Sequence, residues 1–136
     1  MNQRLLQFDA KNLMTNLPDF QVGQTVRIHQ KIKEGEKERL QAFEGLIISM
    51  NRGKGINGTI TVRKIVDAIG VERLFPIHSP TIGKIEIIKV AKTRRSKLYF
   101  VRRLSGKAAR MKTTMVEGKS YEPKSVTSAT EQPARV

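Results

Sequence analysis

Thr25-Val26-Arg27-Ile28-His29-Gln30-Lys31-Ile32 is the stretch that decides how the rest of the chain is read. Val26, Ile28 and Ile32 fall on one side of a period of two, and Thr25, Arg27, His29 and Lys31 on the other. Successive side chains of a strand point to opposite faces, so this stretch predicts a half-buried β-strand. Downstream, Glu34-Gly35-Glu36 reads as a turn, and a second strand starts at Arg39. Its alternation breaks at Phe43-Glu44-Gly45, after which Leu46-Ile47-Ile48 is apolar at every position. Gly45 therefore reads as a bend or bulge that carries the strand into the core. Residues 59–66 favour a third strand through their Thr, Ile and Val content. Gly70 opens a fourth segment through Phe75, and residues 85–90 make a fifth. Pro76-Ile77-His78-Ser79-Pro80 is too rigid for a central strand. Five short antiparallel strands at this spacing predict a mainly-β fold, a small and strongly bent barrel.

The flanks read differently. Residues 2–17 suggest a short helix, with Leu6, Leu13 and Leu17 near one face and Leu5 and Met14 beside it. Asn16 and Pro18 stop it, because the residue before a proline is pushed away from helical geometry. Residues 92–103 have no clean period of two and read as a turn followed by one or two turns of helix. No apolar periodicity survives beyond Ser105, and residues 113–136, rich in Ser, Thr, Glu, Lys and Pro, read as a disordered tail. The expected organisation is an N-terminal helix over 1–17, a barrel domain with its basic segment over 18–104, and a C-terminal extension over 105–136, basic as far as 112.

At 136 residues the chain suits one domain with a real core and some appended sequence. Without Trp, and with five Phe, that core rests on Ile, Leu and Val. The chain has no Cys, which excludes a disulfide framework, thiolate metal sites and a Cys nucleophile. No apolar run approaches the roughly 20 residues needed to span a bilayer. Residues 1–8, with Arg4 as their only base, do not read as a signal peptide. These features predict a soluble, intracellular, basic protein.

Charge is the most uneven property. Residues 84–112 hold eleven Lys and Arg against one acid, Glu86, a local charge of +10 out of a total of +14. Residues 1–83 carry +4 and residues 113–136 carry 0. Self-repulsion on that scale is relieved by a polyanion, and nucleic acid is the natural one. Arginine suits phosphate through its planar fork of donors. Lys89, Lys92, Arg94, Arg95, Lys97, Arg102 and Arg103 surround Leu98-Tyr99-Phe100-Val101. Tyr99 and Phe100 either stack on a base or anchor the segment to the core. Charge alone does not separate RNA from DNA.

Motifs for catalysis are thin. The loop Gly53-Lys54-Gly55-Ile56-Asn57-Gly58 matches G-x-G-x-x-G and follows a strand, but a β-forming run, Thr59-Ile60-Thr61-Val62, comes next. A dinucleotide site needs a helix there, whose N-terminal amides meet the pyrophosphate, so the loop carries no cofactor reading. It offers Arg52 and Lys54 to a phosphate backbone instead. Gly118-Lys119-Ser120 lacks the earlier glycine of a phosphate-binding loop, since position 113 is Thr. His29 lies on the polar strand face and reads as solvated, and His78 either contacts a nucleic acid or caps its turn. The two are not at metal-ligand spacing. Glu34, Glu36 and Glu38 alternate with Lys33, Lys37 and Arg39 as a solvated hairpin of mixed charge. The chain is expected to be no enzyme and to have neither cofactor nor metal nor small-molecule substrate.

Specific residues then point to a family. Pro18-Asp19-Phe20 with Val22-Gly23-Gln24-Thr25-Val26 opens a stretch that resembles the bacterial-type large-subunit ribosomal protein nineteen family. The similarity runs through Ile32-Lys33-Glu34-Gly35, Lys37-Glu38-Arg39, Gln41, Phe43-Glu44-Gly45 and Thr61-Val62-Arg63-Lys64-Ile65. It is strongest at Gly70-Val71-Glu72-Arg73, Phe75-Pro76, His78-Ser79-Pro80 and Arg94-Arg95-Ser96-Lys97-Leu98-Tyr99. It covers residues 18–103 in order. Ala91, Thr93 and Ser96 depart from the family's usual residues, and the extension past Leu104 is longer than in many relatives.

The resemblance implies an SH3-like barrel with extensions and a structural role in the large ribosomal subunit. It also implies contact with large-subunit rRNA near the subunit interface, beside the fourteenth large-subunit protein, and a bridge to small-subunit rRNA. The family's basic stretch maps onto Lys92, Arg94, Arg95 and Lys97, and its proline-histidine loop onto residues 76–80. Together with the charge pattern, this makes Arg52, Lys54, Arg63, Lys64, Arg73, His78, Lys84, Lys89, Lys92, Arg94, Arg95, Lys97, Tyr99, Arg102 and Arg103 the candidate rRNA-binding residues. Lys107, Arg110 and Lys112 join them as an extra arm, on charge alone. The ribosomal role predicts a cytoplasmic, ribosome-bound protein; the competing expectation is a free-standing SH3-like nucleic-acid-binding factor.

Overall fold

The computed structural model describes residues 2–121 and 124–125. Helix α1 (Gln3–Asn12) is followed by β1 (Met14–Thr15), β2 (Gln24–Glu34), β3 (Lys37–Asn51), β4 (Thr59–Val66), β5 (Ile69–Pro76), β6 (Ile82–Ala91), β7 (Thr113–Tyr121) and β8 (Lys124–Ser125). Two 3-10 turns, Tyr99–Arg103 and Gly106–Ala109, lie between β6 and β7. Six strands form one antiparallel sheet in the order β5-β4-β3-β2-β6-β7. The sheet curls strongly into a half-barrel, the mainly-β, barrel-like fold expected.

The alternation of β2 does what its pattern requires. Val26 and Ile28 are fully buried on the concave face with Phe43, Ile47, Ile60, Val62, Phe75, Ile77, Ile85 and Ile87. Ile32 is not part of this core: β2 pairs with β6 only as far as Gln30↔Ile82, and beyond it the β2–β3 hairpin projects from the sheet. Gln24, buried at the start of β2, is satisfied by its own turn: its side chain accepts from Gln21 N–H and donates to Asp19 C=O.

The irregularity expected at Gly45 sits three residues later. Ile47 pairs with Val62 and Ser49 with Thr61, leaving Ile48 as the extra residue of a bulge. Gly45 is required for closeness instead: a Cβ there would collide with the Arg63 carbonyl of β4. Ile48 faces away from the main core on the side of Leu46, in a second cluster with Leu98 and Val101 packed also by Val22 and Met111, and the bulge brings Met50 back to the main core. This is why Leu46-Ile47-Ile48 is apolar on both faces.

Three expectations are corrected. The N-terminal helix ends at Asn12 rather than running to 17. Asn12 turns its side-chain amide back to Phe8 C=O, Leu13 N–H closes on Asp9 C=O, and Asn16 takes a positive φ of 59°. Residues 113–121 are not disordered; they add β7 to the edge of β6. Backbone N–H and C=O groups along an open edge accept any run of β-forming residues, and Thr113-Thr114 starts one. Lys124–Ser125 form the short β8, and the remainder of the expected disordered tail, 122–123 and 126–136, lies outside the described residues. Finally, the strand over 85–90 extends to Ile82–Ala91.

Candidate nucleic-acid interface

The half-barrel positions its cations in two different ways. On and around the sheet many of them are answered. Arg27 meets Glu44 at 2.7 Å and Glu86 at 3.4 Å, and Lys84 meets Glu86 at 2.7 Å. Lys54 meets Asp19 at 2.7 Å, and Arg63 meets Glu72 at 2.9 Å. Lys64 lies 4.5 Å over the Phe43 ring, and Arg73 stands over both Phe43 and Phe75 while donating to the Gln30 side chain at 2.8 Å. These are cation–π contacts that hold guanidinium and ammonium groups against the core's edge.

His78 is also engaged inside the chain. Its Nδ1 accepts from Met14 N–H at 2.9 Å, which leaves Nε2 to donate to Lys54 C=O at 2.9 Å. The ring therefore ties β1 to the glycine loop rather than capping its own turn, with a single neutral tautomer serving both bonds. In that loop Gly55 and Gly58 donate their N–H groups to Arg52 and Gly55 carbonyls, and β4 follows at once. His29 is half-buried rather than solvated, with Nε2 3.6 Å from Glu86.

The segment after β6 differs. Leu98 and Val101 are buried on Ile48, and Leu98 N–H donates to Ile48 C=O at 2.8 Å. The Thr93 hydroxyl donates to Val22 C=O at 3.2 Å. Between and beyond these anchors Lys92, Arg94, Arg95, Lys97, Arg103, Lys107, Arg110 and Lys112 are exposed. None of them has an ion pair among the described residues, and the same holds for exposed Arg52 and half-buried Lys89. Arg95 lies 5.2 Å over Phe100 and Lys97 5.8 Å over Tyr99. An open groove of about 510 Å³ runs along this segment, lined by Lys92, Thr93, Arg94, Arg95, Leu98, Phe100 and Met111. Arg102 alone is paired here, to Glu72 through two hydrogen bonds of 2.7 and 2.8 Å. That contact, ahead of the one from Arg63, holds the Glu72 carboxyl below the usual carboxylate range, and it raises the pKa of Arg102.

The structure thus brings together most of the candidates from 92 to 112 on one segment and leaves Arg63, Lys64, Arg73 and Lys84 on the sheet with partners of their own. Sequence reasoning missed Phe100 and Met111 as groove walls and Glu72 as the partner of Arg102. Only Phe100 carried a signal, as an aromatic within the basic run.

A curled antiparallel sheet with unanswered arginines and lysines on an outer segment defines a small, basic, mainly-β protein that presents cations. Residues 3–114 match the model of the family described as Ribosomal protein L19, and the chain belongs to that family. Its members are structural, non-enzymatic constituents of the large ribosomal subunit, associated with rRNA and other ribosomal proteins in translation. Among the described residues no helix is long and apolar enough to cross a membrane.

Proposed function

We propose that this chain binds large-subunit rRNA through the segment from Lys92 to Lys112, with Arg52 and Lys89 beside it. The supporting observation is the run of exposed cations that, Arg102 apart, have no carboxylate partner among the described residues. A phosphate backbone holds a condensed layer of cations, and each lysine or arginine that neutralises a phosphate releases part of it, so binding gains from counterion release. The buried Leu98 and Val101 hold the segment on the half-barrel, so the cations are offered from a fixed surface and the folded RNA is recognised by shape. Lys107, Arg110 and Lys112 extend that surface towards β7. Tyr99 and Phe100 are exposed enough to stack on an unpaired base. The resemblance adds a position near the subunit interface, the fourteenth large-subunit protein as neighbour and small-subunit rRNA as the bridged partner.

Sedimentation of the protein with purified subunits tests the ribosomal assignment: one copy per large subunit, retained at moderate salt. A chain found mostly free would be a separate nucleic-acid-binding factor. Replacing Arg94 and Arg95 together by Gln tests the surface. The double variant is expected to weaken rRNA binding and to flatten the plot of log affinity against log salt by about two units, one for each phosphate no longer neutralised. An unchanged slope removes both residues from the interface.

A further inference from the structure

We infer that Glu72 is a positioning residue for RNA binding: by gripping Arg102 it sets the basic segment on the half-barrel in the conformation that meets phosphate. This rests on the rRNA-binding reading above and concerns an acid, which that reading gives no part.

Glu72 is braced before Arg102 reaches it. Its Oε1 accepts from Arg63 Nη1 at 2.9 Å, and the Arg63 side chain is only 14% exposed. The Arg63 guanidinium fills the space beside Gly70 where any Cβ would collide with it. A carboxylate held from that side presents both oxygens in a fixed plane. Arg102 then takes Oε1 with Nε and Oε2 with Nη2, the two-pronged geometry that makes an arginine–carboxylate pair directional. Exposed ion pairs are generally weak, and this geometry is the recognised exception. Arg102 also lies 4.5 Å over the Tyr99 ring, so the grip is passed to the start of the same 3-10 turn.

The segment is then tied to the sheet at Thr93, at Leu98 and at Arg102, and Arg94, Arg95 and Lys97 lie between the ties. Cations this dense repel one another and spread the chain unless it is held. Holding them in place beforehand removes an ordering cost from binding.

The sign of one substitution separates this from plain electrostatics. Glu72→Gln makes the protein more cationic, which by charge alone strengthens binding to a polyanion. Positioning predicts weaker binding. The experiment measures affinity for deproteinised large-subunit rRNA against excess transfer RNA, using the full chain, E72Q, R102Q, the E72Q/R102Q double variant and the Arg94/Arg95 double variant. In parallel, amide exchange of Val101 and Leu104, whose N–H groups close the 3-10 turn, is followed without RNA. E72Q and R102Q are each expected to weaken binding about fivefold, and their combination no further, because both break one contact. E72Q is also expected to speed exchange at Val101 and Leu104. Equal or tighter binding by E72Q, additive losses in the double variant, or unchanged exchange would overturn the inference. If instead the Arg94/Arg95 variant binds normally, the rRNA-binding surface is wrong, and the exchange result still judges the grip on its own.

Discussion

The sheet and the segment that follows it carry similar cations in opposite states. On the sheet, Arg27, Arg63 and Lys84 each face a carboxylate, and Lys64 and Arg73 rest on aromatic rings. From Lys92 to Lys112 only Arg102 meets a carboxylate among the described residues, although Arg95 and Lys97 also lie over aromatic rings. The cause lies in the acids: none occurs between Glu86 and Glu117. What the contrast teaches is that the number of positive residues overstates the surface available to phosphate. A cation already bonded to a carboxylate must give up that contact to neutralise a phosphate, whereas an exposed, unpaired one can do so at once and release the cations condensed on the RNA.

The largest test of that contrast concerns how the segment is held. Leu98→Ala empties a fully buried site in the smaller cluster and is expected to cost about 2–5 kcal/mol in urea unfolding. A loss under about 0.5 kcal/mol, the level typical of surface substitutions, would show that the segment is docked too loosely to count as a fixed surface. A subtler effect should distinguish the two kinds of arginine. Arg103→Gln is expected to flatten the salt dependence of rRNA binding by about 0.7–0.9 of a unit, and Arg27→Gln to leave it unchanged. Equal changes would erase the distinction between answered and unanswered cations.

The smallest effect is a pH dependence. The folded pKa of Glu72 is lowered from 4.5, mainly by Arg102. Its ion pairs therefore stabilise the fold fully above that unfolded value and lose their contribution as pH falls through the folded one. The melting temperature of the unaltered chain should exceed that of Glu72→Gln at pH 7, and the gap should close in acid below pH 4.5. A gap independent of pH would point to a packing effect at position 72.

Much of this arrangement is legible along the chain, because its signals are local. The alternation from Thr25 to Ile28, the turn at Gly35 and the β-forming run at Thr59 each state their structure within a few residues. The unanswered segment is legible too, since it depends on an absence of acids within one stretch. What escaped reading depends on distant partners. Glu72 and Arg102 are 30 positions apart, and nothing beside either names the other. The double-sided apolar character of Leu46-Ile47-Ile48 was visible, but not that Leu98 would cover its outer side. β7 was missed because its pairing is made by backbone groups on the edge of β6, which leave no mark in side-chain periodicity.

The bulge at Ile48 has a consequence for how such a protein can change. An ordinary strand residue sends its neighbours to alternate faces and keeps its hydrogen bonds within the ladder; the extra residue frees one carbonyl and one apolar side chain for use outside it. Here both go to Leu98. Loss of Ile48 itself, which the ladder to β4 does not pair, would thus act on the outer arm before it acted on the inner core. The arm that carries the charge is thus seated, in part, on the one residue of β3 that the ladder to β4 skips.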